Sequence, residues 1–473
     1  MLFVFLFLIS NIITQSLATD MRKKNIVMLL FSLVFYAWAG LYCLPLLLGM
    51  TFICWFCALQ IDRYRGDPKA KKFMLFACTA MVLSLLGFFK YSGMVLDVQG
   101  RFGLQVPLPV GISFYTFQLL SYVVDVYRGD AQVQKKYWLL LLYAGLFHQC
   151  VAGPIVRYRD VNEDILHRRV RLTELSDGIT RFTVGLAKKA VLANGCSAIV
   201  DKLLTPKGLE NIAQANEILG NVSVLGIWLG MLAYTLYIYL DFSAYSDMAI
   251  GMGLMCGFHY KENFNYPYIA NSVTDFWRRW HISLSSFFRD YVYIPLGGNR
   301  CSKFRHIFNL FVVWGLTGMW HGASWNYLLW GLYYFVFLVI EKYFVDPERI
   351  PMGLRHLLTM LIVVFGWTLF KFENPTLLKT AIKGMFGLNG NPLSALESRL
   401  VLQNNILFLP FCVLAATPLA KRLGNAIKDR SKQDMGWLTA YNVMDTALPL
   451  LLLLLSMMAL AGKRYNPFLY FQF

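Results

Sequence analysis

Apolar residues fall along this chain in runs too long and too closely spaced for a water-soluble fold. Met1 to Ala18 is the first, followed by about Ile26 to Ala39, Tyr42 to Leu59, Phe73 to Phe89, Pro109 to Val126 and Trp138 to Ile155. Six more lie at Val222 to Leu240, Ile307 to Gly318, Tyr327 to Ile340, Leu357 to Leu369, Ile406 to Ala416 and Leu448 to Ala461. Several are short or interrupted against the roughly 20 helical residues that cross a bilayer. The pattern predicts an all-α polytopic membrane protein of ~10 to 12 transmembrane or re-entrant helices, with further helices lying in the interface. The first run has no basic leader and reads as a span rather than a cleaved signal. The longest polar stretches, around Asp160 to Asp177, Asp201 to Glu217 and Lys421 to Trp437, are loops or surface helices too short to carry a core. Residues 1–473 therefore read as a single integral-membrane domain, and its function must sit in the membrane body.

One stretch departs from the simple pattern. His306 to Ile340 spans 35 residues without Asp, Glu, Lys or Arg, and His321 lies near its middle. A single straight helix of that length would measure about 52 Å against a hydrocarbon core of about 30 Å. Gly315, Gly318 and Gly322 point to a break around His321. Irregular backbone at such depth is tolerated only where protein buries it or a cavity adjoins it, so the break implies a pocket reaching into the membrane. A titratable ring there is costly. His321 is thus either a functional group or a histidine hydrogen-bonded between packed helices.

The basic residues set the topology. Arg22, Lys23 and Lys24 form one cluster, and Arg63, Arg65, Lys69, Lys71 and Lys72 form another two spans later. Both face the cytoplasm only if the N-terminus is outside, and continued alternation brings Arg128, Lys135 and Lys136 inside as well. Arg157, Arg159, Arg168, Arg169 and Arg171 follow after just one apolar run. Trp138 to Ile155 is therefore predicted to enter and return on the cytoplasmic side. The net charge of +17 resides in such short loops, which argues against a nucleic-acid partner. Membrane lipid is the expected surrounding. The nine cysteines are scattered mostly through apolar runs, and the Cys54-x-x-Cys57 pair lies inside one, so neither a disulfide framework nor a metal or redox site is expected.

Polar chemistry concentrates in the middle third. Asp241 and Asp247 lie in or at the end of an apolar span, six positions apart, and thus do not form a dyad. They serve either as structural wiring or to orient a histidine. Asn263 opens a polar and aromatic turn ending at Tyr268. Ser272 and Asp275 have capping-box spacing, so a helix is predicted to begin there. On it Trp277, Trp280, His281, Leu284 and Phe288 would share one face, with Arg278, Arg279 and Arg289 elsewhere. Such a helix would lie in the interface, its arginines available to lipid phosphates or to those of an anionic cofactor. Pro295, Gly297 and Gly298 then stop regular structure.

His281 and His321 each follow a tryptophan, and neither has cysteine or carboxylate companions at metal-ligand spacing. Nucleophile elbow, phosphate loop and His-Glu-x-x-His are all missing. Acid–base chemistry remains. A buried neutral imidazole can take a proton from a hydroxyl attacking a reactive acyl group such as a thioester. The Trp320 indole, Asn326 or a backbone N–H at the break would stabilise the oxyanion.

Asp275 to Leu284, Arg289-Asp290-Tyr291, Pro295 to Arg300 and Trp320-His321-Gly322-Ala323 together resemble the membrane-bound O-acyltransferase superfamily. The likeness is narrower to its bacterial members that acetylate alginate or transfer D-alanine. Pro109 to Tyr115, Asp125 to Gly129, Ala152 to Tyr158 and the tail Pro467 to Phe473 extend it over nearly the whole chain. His148 stands where the family commonly has proline, and Ala244 replaces a common glycine. The resemblance implies a helical fold around a tunnel, with His321 at the catalytic position and His281 as the second family histidine. Trp280, Trp320, Asn326, Arg278, Arg279, Asp241, Asp247 and Asn263 are candidates for shaping the tunnel. It further implies an acetyl group passed from a cytoplasmic thioester, acetyl-CoA being the implied co-substrate rather than a resident cofactor, toward an extracytoplasmic polysaccharide. An extracytoplasmic acetyltransferase partner and residence in the bacterial inner membrane go with it. Acylation of a lipid or protein, or a carrier that does no chemistry, are the competing readings; the lack of detectable inverted halves weighs against the carrier.

Overall fold

The computed structural model describes residues 2–96, 108–150, 153–204, 211–346, 349–461 and 468, and every regular element among them is helical. Val151, Ala152 and most of the C-terminal motif lie outside the described residues. In chain order the helices are α1 (Leu2–Leu17), α2 (Met21–Ala39), α3 (Cys43–Arg63), α4 (Pro68–Leu96), α5 (Ile112–Arg128), α6 (Tyr137–Gly145), α7 (Tyr158–His167) and α8 (Leu172–Ala187). A π turn at Lys188–Ala193 leads into α9 (Asn194–Leu203), α10 (Ile212–Asn221) and α11 (Val224–Met255). Next come α12 (Val273–Arg279), α13 (Ile282–Phe288), α14 (Lys303–His321), α15 (Trp325–Tyr343) and α16 (Met352–Lys371). The chain closes with α17 (Pro375–Met385), α18 (Leu396–Asn404), α19 (Phe408–Ala415), α20 (Leu419–Ser431) and α21 (Met435–Leu460).

Among the described residues, α3, α4, α11, α16 and α21 are long and apolar enough to cross a bilayer singly. The pair α18 and α19, bent by 59°, adds a sixth if it is one span. The other apolar runs form shorter or less uniformly apolar helices. The chain forms two compact units, each drawn from separated segments. The first comprises Met1–Phe182, Ser246–Asn263 and Ser283–Leu296; the second comprises Thr183–Tyr245, Phe264–Ile282 and Gly297–Phe473.

In the first unit, α6 has nine residues and rises only about 14 Å, and a short 3-10 turn, Phe147–Gln149, follows it. Arg128, before this segment, donates from Nη2 to the Asp290 carbonyl at 3.0 Å. Arg157, after it, donates from Nη1 to the Asp290 carboxylate at 2.7 Å. Both flanks of the segment therefore meet at one residue. Burial alone would raise the Asp290 carboxyl, but hydrogen bonds from Arg289 and Arg157 outweigh it and hold the group below its usual range. A depressed carboxylate stabilises the fold above its unfolded pKa, and that contribution disappears as pH falls through the folded value. Asp290→Ala is expected to cost about 1.5–3 kcal/mol at neutral pH. Thermal melts of variant and parent should converge as pH falls through the depressed folded value, below the usual aspartate range.

The charge-free stretch of the second unit resolves into a helical hairpin, α14 and α15, joined at Gly322–Ser324. Each arm has 19 residues, a rise of about 28 Å. A Cβ on Gly318 would strike the Tyr327 carbonyl oxygen, and one on Gly331 would strike that of Trp314. The pairing of 318 with 327 and 314 with 331 shows that the arms are antiparallel. Small residues at the crossing let the backbones approach closely. The break thus falls immediately after His321, but only two of the three glycines serve it. Gly322 abuts the Tyr327 ring, whereas Gly315 faces open space.

Candidate functional site

The helix predicted at Ser272 begins there, but it does not run on to Phe288. Ser272 accepts the Asp275 N–H at 2.9 Å, and the Glu341 carboxylate of α15 accepts those of Val273 and Thr274 at 2.6 and 3.1 Å. An anion at the positive end of a helix is favourable, so α12 starts under double constraint. It ends at Arg279. Trp280 turns extended and His281 adopts φ +42°, in the left-handed region, before α13 begins. For a residue with a Cβ this region costs about 1–3 kcal/mol, and such conformations persist where surrounding packing enforces them. The amphipathic interfacial helix of the sequence reading is therefore corrected to two short helices with a strained corner between them. Nor does that face lie in the interface: Trp277, Trp280, His281, Leu284 and Phe288 are all buried.

What enforces the corner is an aromatic shell within the second unit. The His281 imidazole meets the Phe242 ring edge-on at 4.8 Å, stacks toward Phe264 at 6.5 Å and lies 5.8 Å from the Trp320 indole. His321 closes α14 and packs on Trp320 at 4.9 Å, Trp330 at 4.8 Å and Phe370 at 5.6 Å. Trp320 thus touches both imidazoles. Trp280 packs on Trp367 at 4.7 Å, and Trp367 stacks with Trp330 at 6.1 Å. His281 is 1% exposed and His321 5%, so both titratable rings are enclosed by apolar surface.

The tautomer of His321 follows from a hydrogen bond within its own helix. Nδ1 lies 2.7 Å from the Thr317 carbonyl oxygen, one turn earlier in α14. A carbonyl only accepts, so Nδ1 carries the proton, and in the neutral ring Nε2 holds the lone pair. The helix itself therefore sets His321 as a proton acceptor at Nε2.

The remaining candidates are distributed by this folding. Asn326 is buried at the start of α15 and donates to the carbonyls of Leu369 and Phe370, both at 3.3 Å, fastening the end of α16. Its N–H groups are thus directed at backbone. Arg279 pairs with Asp275 at 2.8 Å and reaches the Asn265 carbonyl at 3.2 Å, while Arg278 is exposed. Asp241 is buried against Lys189, with Nζ and Oδ1 2.5 Å apart. In the first unit, Asp247 takes hydrogen bonds from Arg181 at 2.9 and 3.2 Å, and the same guanidinium holds Glu262. Asn263 donates to Ser246 at 3.1 Å and accepts from the Ser283 N–H and hydroxyl at 3.2 and 2.9 Å. It thereby anchors the chain two residues beyond His281.

Sequence reasoning missed Lys189, 2% exposed, together with the rings of Phe242, Trp330, Trp367 and Phe370. For Lys189 a signal existed. Lys188 and Lys189 are the only charges between Val184 and Val200. The rings carried no such mark, because aromatic residues abound throughout the chain. Among the described residues no group of three His, Cys, Asp or Glu could hold a metal ion.

A helical membrane fold with two histidines buried in one aromatic shell is compatible with a membrane acyltransferase. The sequence profile of MBOAT, the membrane-bound O-acyltransferase family, matches residues 31–347, and the chain belongs to that family. It is 36% identical to the probable alginate O-acetylase AlgI of Pseudomonas putida, over 96% of this chain and 95% of the relative. To the peptidoglycan O-acetyltransferase of Helicobacter pylori it is 30% identical, over 100% and 96%. The teichoic acid D-alanyltransferase of Bacillus subtilis is 28% identical over 56% of this chain and 67% of its own length. The protein is thus a multi-pass membrane acyltransferase.

Proposed function

We propose that this enzyme transfers an acetyl group from a cytoplasmic thioester, acetyl-CoA being the donor its chemistry suits, to hydroxyls of an extracytoplasmic polysaccharide such as alginate. His321 is the general base. The observation that carries the assignment is the Nδ1–H bond to the Thr317 carbonyl, which fixes a basic Nε2 inside an enclosed apolar shell. In the reaction an acceptor hydroxyl oxygen attacks the thioester carbonyl carbon while Nε2 takes its proton. The tetrahedral oxyanion collapses, the C–S bond breaks, and the thiolate leaves with the proton returned by the imidazolium. Contact of Trp320 with both histidines supports its indole N–H as the donor to the oxyanion.

With His321 only 5% exposed, the aromatic shell around the ring must open to admit donor and acceptor. Relatives named for acetylation of alginate and of peptidoglycan support a glycan acceptor. The basic clusters support an extracytoplasmic N-terminus in the bacterial cytoplasmic membrane, and an extracytoplasmic acetyltransferase partner would complete delivery to the polymer.

The test is reconstitution of the purified full chain in vesicles with radioactive acetyl-CoA. Free thiol should appear on the donor side together with label on an added glycan or on a partner acetyltransferase. Label passing across without thiol release would identify a carrier instead, and label on lipid or protein would redirect the acceptor.

A further inference from the structure

We infer that Lys188 and Lys189 form a clamp on α11 that positions Phe242, and through it His281, for acyl transfer. The inference rests on the proposed chemistry at the two histidines. It starts from the π turn at Lys188–Ala193, a wider form of helix that inserts one extra residue and recurs at functional sites. From this turn Lys189 Nζ reaches Asp241 at 2.5 Å, and Lys188 Nζ reaches the Ser243 hydroxyl at 3.1 Å. On a helix, positions two apart point about 200° from one another. The two lysines therefore grip α11 from opposite sides and fix its rotation, with Phe242 projecting between them.

Phe242 is the residue whose ring meets His281 edge-on at 4.8 Å. The Lys188 ammonium also lies 6.0 Å over the Tyr239 ring, and Tyr239 packs on Trp280 at 6.2 Å. Lys188 thus reaches the corner that carries Trp280 and His281 through Tyr239, and Lys189 reaches it through Asp241 and the adjoining Phe242. That corner has reason to need support. The positive φ of His281 relaxes unless packing over-determines it, and Phe242 supplies one wall of that packing.

Stability gives a weaker reason for the pair. Asp241 is 1% and Lys189 2% exposed, and a buried ion pair exchanged for well-packed apolar residues is often neutral or stabilising. Directional fixing of α11 is what such a replacement could not reproduce. Lys189 is accordingly a positioning residue, not a catalytic one.

The experiment compares the full-length parent with Lys189→Met, Lys189→Arg, Phe242→Leu and the double variant Lys189→Met/Phe242→Leu in the acetyl-thioester assay. Lys189→Met should lower kcat between about 10- and 100-fold, as expected for a displaced reacting group, and shift the acidic limb of the kcat–pH profile. KM for the thioester should stay within about twofold, because ground-state binding is untouched. Lys189→Arg should restore most of kcat, and the double variant should be no slower than the slower single one, the non-additivity of residues acting in series. An unchanged kcat and pH profile in Lys189→Met, or additive losses in the double variant, would overturn the clamp. If Lys189→Met strands Asp241 and fails to fold, Lys189→Met/Asp241→Asn removes both charges, and full kcat in that protein would overturn it equally. His321→Ala in the same assay separates the two readings, since full activity there defeats the proposed chemistry whatever the clamp variants do.

Discussion

Replacing His321 by alanine is expected to lower acyl transfer by about 10²- to 10⁴-fold while leaving a folded membrane protein, because the loss is that of a positioned general base. The expectation is sharper than for most buried histidines, since only one ring nitrogen is at issue. Nδ1 is engaged by the Thr317 carbonyl within the same helix, so that hydrogen bond joins no second helix, and the packing loss in the variant falls on Trp330 and Phe370. Truncating a buried ring still costs stability, on the order of 1–3 kcal/mol. Thiol release from an acetyl thioester, measured alongside a thermal melt in detergent, divides the two effects. A variant that melts near the parent and has lost turnover supports the base. One that turns over at the parental rate would remove His321 from the chemistry and return it to a packing role.

The largest structural effect is expected at the crossing of α14 and α15. Gly331→Leu should prevent the hairpin from closing, and Gly331→Ala should destabilise it by about 1–3 kcal/mol, because the added Cβ meets the backbone carbonyl of Trp314 and not a side chain that can swing aside. Activity should fall with it, since His321 terminates one arm and Trp330 of the other arm packs on its ring at 4.8 Å. Gly315→Ala supplies the contrast. Nothing lies within 4 Å of a Cβ there, so the helix gains the propensity of alanine, up to about 1 kcal/mol. Melting temperatures of the three variants should rank Gly315→Ala above Gly331→Ala above Gly331→Leu. If Gly331→Ala melts with the parent, the close crossing is not what holds the arms together.

These glycines illustrate how far local pattern reaches. A charge-free stretch too long for one span, with three glycines near a histidine, was enough to require a break around His321. It could not distinguish a broken span from a hairpin, because that depends on which backbone comes to lie against Gly318 and Gly331. The start of α12 was legible for a related reason: a cap is a contact between residues three apart, and Ser272 and Asp275 make it. Its end was not. The spacing of Trp277, Trp280, His281, Leu284 and Phe288 suits an uninterrupted helix, and only packing by Phe242, Phe264 and Trp320 makes a left-handed His281 tolerable.

The order of apolar and basic segments by itself determined that this is a helical membrane protein, and its motifs determined the family. Those properties follow from lengths, charges and neighbours along the chain. Which groups surround the two histidines was decided only by the tertiary structure. Lys189 and Asp241 are 52 positions apart, and Trp320, Phe242 and Phe264 reach His281 from three separate stretches. Hydrophobic periodicity records whether a side chain leaves water, and it is silent on which distant side chain it leaves water to meet.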